Sequence, residues 1–247
     1  MQPNDALDSI YSTADALPDP LPAEPMGTVR AWLDDATARR VTPNPNAIAL
    51  ATIDADGRPS VRMVLCKDVD EGGGSITFFT NFESRKGRAL EAVPRAACVF
   101  HWDALEKQVR LEGVVRRATE AESDAYFASR HWQSRIGAWA SSQSRPIGSR
   151  EELLGQVADV VVEQNIDLRP LIDAGPDERP TVDIPRPPFW GGFRLWVDRV
   201  ELWVGGSGRI HDRALWSREF AGGAAEAGVD SGSPAVERGW SVTRLQP

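Results

Sequence analysis

Cysteine and histidine are both scarce in this chain, with 2 Cys and 3 His among 247 residues. Cys66 and Cys98 lie far apart, each inside an apolar run, VRMVLCK and AACVFHW. That spacing excludes a C-x-x-C redox pair and a thiolate zinc site, and it predicts two buried thiols on strands. His101, His131 and His211 are scattered with nothing like H-E-x-x-H, so no metal centre is expected. Apolar runs of membrane-spanning length are missing, and no helical span is expected. The N-terminus, MQPNDALDSIYSTADALPDPLPAEP, has neither the basic start nor the apolar centre of a secretory leader, which makes a cytoplasmic protein the expectation. Positive charge is in deficit overall, at 28 Lys and Arg against 36 Asp and Glu for a net charge of -8. Such a field repels a phosphate backbone, so a nucleic-acid partner is not expected.

What the chain does have is a run of short strands with helices set between them. Residues 1–25 are rich in proline and lack apolar periodicity, and they are read as a loose arm. From Met26, Val29, Trp32, Leu33 and Ala36 share one helix face before TPNPN stops it. AIALATI, the turn DADGRP and SVRMVLCKDV predict a hairpin, and SITFFT a third strand. The triplet in DEGGG precedes a strand and lacks the lysine of a phosphate loop, so it is read as a turn. A short helix over ESRKGRALEAV follows, then strands AACVFHW and KQVRLEGVVRRAT. Three helical pieces are predicted between residues 120 and 165. After a proline-rich link at 168–187, strands resume through FWGGFRLWV and RVELWVGG. AGGAAEAGVDSGSP is read as a flexible insert, and GWSVTRL as a terminal strand. This order lacks the regular strand–helix alternation of a doubly wound sheet. It predicts a mainly β fold, an antiparallel barrel with peripheral helices, occupying residues 26–247.

Against the acidic background, arginine and lysine collect in SVRMVLCK, ESRKGR, SRHWQSR, QSRPIGSR and GRIHDR. Local cationic clusters in an acidic protein suit small anions, phosphorylated ligands above all. Ser84, Arg85 and Lys86 fall at a predicted helix start, where backbone N–H groups also favour an anion. In GSGRIHDR, an extended backbone would put Arg209, His211 and Arg213 on one face.

At RMVLCK, FFTNFESRKG, LEKQVRLEG, IGAWASSQS and FWGGFRLWVDRVELWVGG followed by RIHDR, the chain resembles the pyridoxamine 5'-phosphate oxidase family, in the family's order from about Met26 to Pro247. The resemblance implies an FMN-binding split β-barrel with a C-terminal region serving dimerisation and the active site. It also implies a homodimer with residues of both chains in each site. FMN contacts carried over by position are Arg62, Met63, Val64, Leu65, Cys66 and Lys67 on one strand. Phe79, Thr80, Arg85 and Lys86 follow, then Gln108, Gln143, Ser144, Trp203 and Arg213. Substrate contacts are Lys67, Tyr126, Arg130 and Ser134, with Arg209 and His211 as the catalytic pair. The implied reaction oxidises pyridoxine or pyridoxamine 5'-phosphate to pyridoxal 5'-phosphate, with O2 as acceptor. Two other readings stand beside it: a flavin oxidase of phenazine-type dihydro compounds, and a non-catalytic carrier of FMN or pyridoxal phosphate. The chain departs from the family's usual pattern at Phe79, often tyrosine, at WVGG in place of WQGG, and at His131–Trp132, where a proline-containing segment is usual.

Overall fold

Alternation in AIALATI sends Ile48, Leu50 and Thr52 inward and leaves the alanines on the outer face of the first strand. In the computed structural model, which describes residues 10–11, 15–173, 182–221 and 232–247, that strand is β1, Ala47–Ile53. It follows α1, Met26–Ala38, whose buried stripe is Met26, Val29, Leu33 and Ala36. The hairpin partner is β2, Pro59–Asp70, and the third strand is β3, Ser75–Asn81. Glycines 72–74 form the turn between them. α2, Arg85–Ala92, leads to β4, Arg95–Trp102, and β5, Lys107–Arg117.

Three helices then intervene as predicted: α3, Glu120–Ser129; α4, Trp132–Ala140; and α5, Arg150–Glu163. A capping box starts α3, with Thr119 Oγ1 accepting from the Glu122 N–H and Glu122 Oε2 from the Thr119 N–H. The link expected at 168–187 contains a short helix, α6, Arg169–Asp173. Strands resume with β6, Trp190–Val204, β7, Asp212–Phe220, and β8, Val236–Leu245. Most of the insert expected at 221–235 lies outside the described residues.

All strand pairings are antiparallel, in the order β3-β2-β1-β4-β5-β6-β7-β8, and β3 also pairs with β6. That last pairing closes β1–β6 into a barrel, with β7 and β8 carried on as an extension. Closure removes the exposed edges that an open sheet would present. Strand β6 serves both parts: its first half pairs with β3 and its second with β7. The barrel is filled by Ile48, Leu50, Ile76, Phe78, Phe100, Leu111, Phe193 and Leu195, all fully buried. Cys66 and Cys98 are free and buried there too, and burial pushes the Cys66 thiol up to about 12. A second apolar cluster joins α3–α6 to the start of β6 through Phe127, Ile136, Val160, Leu171 and Trp190.

The expected loose arm needs correction from Asp15 onward; residues 1–9 and 12–14 lie outside the described part. Asp15 pairs with Lys107 at 3.0 Å, Leu17 is buried, and the Leu17 N–H donates to Asp212 at 2.8 Å. Trp216 Nε1 donates to the Pro22 carbonyl at 2.8 Å. Separate anchors of this kind leave no apolar period to read, which is why the sequence pattern looked unstructured.

Candidate functional site

Strands β2 and β3, the start of β6 and the helices α2 and α3 surround a cavity of about 290 Å³. Of the expected cofactor contacts, Met63, Val64, Leu65, Lys67, Phe79, Thr80, Lys86 and Gln143 line it, and of the expected substrate contacts Lys67, Tyr126 and Arg130. Ser134 lines an adjoining cavity of about 290 Å³ that shares Arg130, Gln143, Asn81 and Trp190. The β2–β3 register shifts between Cys66 and Asp68, so Lys67 is the extra residue of a bulge. Bulges re-aim side chains beside sites, and here the bulge accompanies Lys67's place on the cavity wall.

An aromatic ladder forms one wall. Phe79 and Tyr126 stack with centroids 4.0 Å apart, and Trp190 lies 5.8 Å from Phe79. The Arg130 guanidinium sits 4.5 Å from the Trp190 ring centroid, and Lys67 Nζ is 5.6 Å from that of Tyr126. α3 ends at Ser129 and Arg130 is extended, yet stacking on Trp190 brings its side chain to the same cavity as Tyr126. Sequence reasoning missed Asn81 and Trp190; the aromatic pair in PRPPFWGGF was the available signal for the second.

Lys86 is the polar hub. It is buried, and its Nζ donates to Thr80 Oγ1 at 2.9 Å, Gln143 Oε1 at 3.0 Å and Ser84 Oγ at 3.3 Å. Burial pushes its ammonium down to about 8, and the Arg62 guanidinium adds to the same shift. Arg62 donates to the Leu50 carbonyl, Thr52 Oγ1 at 2.7 Å and Ser60 Oγ at 2.5 Å. Its own pKa is lowered by burial and then by the charge of Arg85. Burial also lowers that of Arg130, whose Nη1 is a buried donor with no partner. Among the described residues, no ion pair includes Arg62, Lys67, Lys86 or Arg130. Unpaired cations around a cavity whose walls contain no carboxylate are chemically suited to anions.

The remaining expected contacts lie elsewhere. Cys66 turns into the barrel core, with its N–H donating to the Asn46 carbonyl and its own carbonyl accepting from Asn46 Nδ2. Its side chain therefore serves packing. Ser144 follows Gln143 in a left-handed conformation, with φ 70°. Gln108 and Trp203 are register partners on β5 and β6, and neither lines the cavity. The extended R-x-H reading of Arg209 and His211 is overturned. Ser207–Arg209 is a 3-10 turn, Gly208 and Arg209 both have positive φ, and β7 begins only at Asp212. The glycine-rich approach GGSG permits this tight reversal, which an alternating pattern cannot reveal. His211 lies against Trp203, with ring centroids 4.6 Å apart, and its Nδ1 accepts from the Gly206 N–H at 3.2 Å. Arg213 donates to buried Glu201 at 2.7 Å and to the Gln246 carbonyl at 2.9 Å, so its charge is already matched.

Comparison with known proteins bears on this arrangement. Residues 34–162 match the family model described as pyridoxamine 5'-phosphate oxidase, and residues 190–247 match the pyridoxine 5'-phosphate oxidase C-terminal dimerisation region. A pyridoxine/pyridoxamine 5'-phosphate oxidase of Paracoccus denitrificans is 44% identical over 227 residues, covering 91% of this chain and 95% of that protein. One from Cupriavidus taiwanensis is 42% identical over 236 residues, covering 96% and 92%. Among solved structures, PhzG of Burkholderia lata, in complex with tetrahydrophenazine-1-carboxylic acid, superposes with a TM-score of 0.75 at 28% identity, covering 96% of this chain and 100% of PhzG. A related FMN-binding protein of Nostoc punctiforme shares the fold at a TM-score of 0.63 and 15% identity, covering 90% and 96%. With its barrel, its extension and both halves of its sequence matched, the chain belongs to the pyridoxamine 5'-phosphate oxidase family.

Proposed function

We propose that this protein is an FMN-dependent oxidase converting pyridoxine or pyridoxamine 5'-phosphate to pyridoxal 5'-phosphate, with O2 reduced to H2O2 and ammonia released from the amine. The observation that carries this reading is the carboxylate-free cavity in which Lys67, Lys86 and Arg130 stand without counter-ions. Two anions suit it. Arg62, Arg85 and Lys86 would hold the FMN phosphate, the charged hydrogen bonds of the more buried Arg62 and Lys86 contributing about 1.5–3 kcal/mol each. The orphaned Nη1 of Arg130, with Lys67, Tyr126 and Ser134, would hold the phosphate of the substrate.

When bound, the flavin supplies the hydride-accepting chemistry. The chain's own contribution is orientation and exclusion of water. Gln143 keeps Lys86 in place and retains an amide to offer a ring edge carrying both donors and acceptors. Phe79, Tyr126 and Trp190 present flat apolar faces beside the cations. Gln108, Trp203, Arg209 and His211 do not reach this cavity within one chain, which supports a homodimer whose second copy completes the site. The guanidinium of Arg209 would stack on the substrate ring while donating hydrogen bonds, a combination that lysine lacks.

The PhzG likeness favours a second reading, oxidation of an unphosphorylated polycyclic substrate. Peroxide formation separates the two. With FMN bound, both phosphorylated vitamers should be oxidised, and pyridoxine without its phosphate poorly. Equal efficiency on the phosphorylated and unphosphorylated forms would overturn the substrate assignment.

A further inference from the structure

Arg85 differs from the other cations of the cluster in having an acidic partner. Its Nε and Nη2 donate to the same oxygen, Oδ2 of Asp54, at 3.1 and 2.7 Å, across 31 positions of chain. Asp54 stands where β1 enters its hairpin turn. Its backbone is fixed there: the N–H donates to the Arg58 carbonyl at 2.9 Å, and its carbonyl accepts from the Gly57 N–H at 2.8 Å. An aspartate at a turn commonly spends its carboxylate on the turn's own backbone. Here Asp56 takes that duty, its Oδ1 accepting from the Arg58 N–H at 3.2 Å, while the Asp54 carboxylate points to another element.

Arg85 is the first residue of α2, just after the cap Ser84, so the guanidinium is tied between a closed turn and a helix start. Both N–H groups of one edge are taken, and Nη1 makes no protein hydrogen bond among the described residues. Other charges face the pair: Arg62 and Arg58 lie near Asp54, and Asp56 lies near Arg85. We propose that Asp54 is a positioning residue for the cofactor phosphate, holding the half-exposed Arg85 beside Arg62 and Lys86 with its Nη1 donors free. This rests on the reading that those three cations bind the FMN phosphate. A free arginine is long and flexible, so its contribution to binding depends on being held beforehand. The carboxylate also repels a dianion, but at the surface that repulsion is screened, and the Arg85 charge offsets it directly.

The two effects have opposite signs, and flavin titration of the full-length protein stripped of its flavin reads them. Riboflavin, which lacks the phosphate, is the control. Asp54→Ala should weaken FMN binding by about five- to twentyfold while leaving riboflavin affinity unchanged. Asp54→Asn, which keeps an acceptor oxygen, should fall between Asp54→Ala and wild type. In an Arg85→Ala background, Asp54→Ala should have no further effect. Tighter or unchanged FMN binding in both variants would overturn the proposal, as would an equal loss for riboflavin or a full effect that survives without Arg85. Should Asp54→Ala not fold, judged by thermal unfolding, Asp54→Asn decides by the same comparison. Failure of the underlying reading looks different, because wild type would then bind FMN no better than riboflavin.

Discussion

Lys86 shows how one side chain couples the site to pH. Buried among neutral oxygens, it ionises at about 8, against 10.5 for an ordinary lysine. A bound dianion favours the ammonium and raises that value. FMN affinity should therefore be insensitive to this group below pH 8 and decline above it, by at most about tenfold per unit. Lys86→Gln should bind FMN more weakly and remove the decline, as a fluorescence titration from pH 6.5 to 9.5 would show. The stability of the flavin-free protein carries the opposite sign. Between about 8 and 10.5 the unfolded chain holds more protons at this site, so the Lys86 contribution to stability improves as pH rises through that window. Lys67 and Arg130 make a different prediction. Replacing either by alanine should raise KM for the phosphorylated vitamer about tenfold or more, with a smaller change in kcat, and Arg130→Ala should in addition leave FMN binding intact. An unchanged KM in both would remove the substrate phosphate from that end of the cavity.

At the scale of the element, closure of the barrel depends on how β5 meets β6. Their register shifts between Glu112 and Gly113, and there the backbones approach so closely that a Cβ on residue 113 would overlap the Trp196 carbonyl oxygen. Backbone cannot retreat as a side chain can. Gly113→Ala should destabilise the fold by about 2–4 kcal/mol, measured as a lower denaturant midpoint with an unchanged slope. A change under 0.5 kcal/mol would mean that the bulge relaxes freely. The bulge at Lys67 likewise interrupts the strict in–out alternation that a regular β2 would continue, at a residue on the cavity wall.

For the whole molecule, the outer face of β2 is the informative surface. Val61 and Met63 are 67% and 63% exposed and Leu65 36%, an apolar row on a strand whose neighbours there are the alanines of β1. Contiguous apolar surface of this kind is suited to binding a ligand or a partner, and here a second copy is expected to cover it. Because Val61 makes no wall of the cavity, Val61→Glu tests assembly without touching the pocket. The protein should run as a dimer in light scattering, and the variant should shift toward monomer with loss of bound flavin. A dimeric variant retaining full flavin would place the interface elsewhere. Among the described residues no helix is long and apolar enough to cross a membrane.

By itself the sequence determined the element order, the buried cysteines, the antiparallel class and the cationic segments, because strand alternation and charge clustering are local properties of the chain. It also determined the family, since several separate motifs recur in one order. The resemblance implied that these cations serve one site, but only the tertiary structure decided how they share its space. Lys67, Lys86 and Arg130 meet at one cavity because β2, β3, α2 and α3 converge there, and Trp190 joins them from a strand that follows 60 residues later. It likewise decided that Arg209 sits in a turn, that Arg213 is spent on Glu201 and that residues from Asp15 on are anchored. Hydrogen bonds between distant elements leave no periodic trace in a sequence, and a positive φ depends on how the flanking strands must be joined.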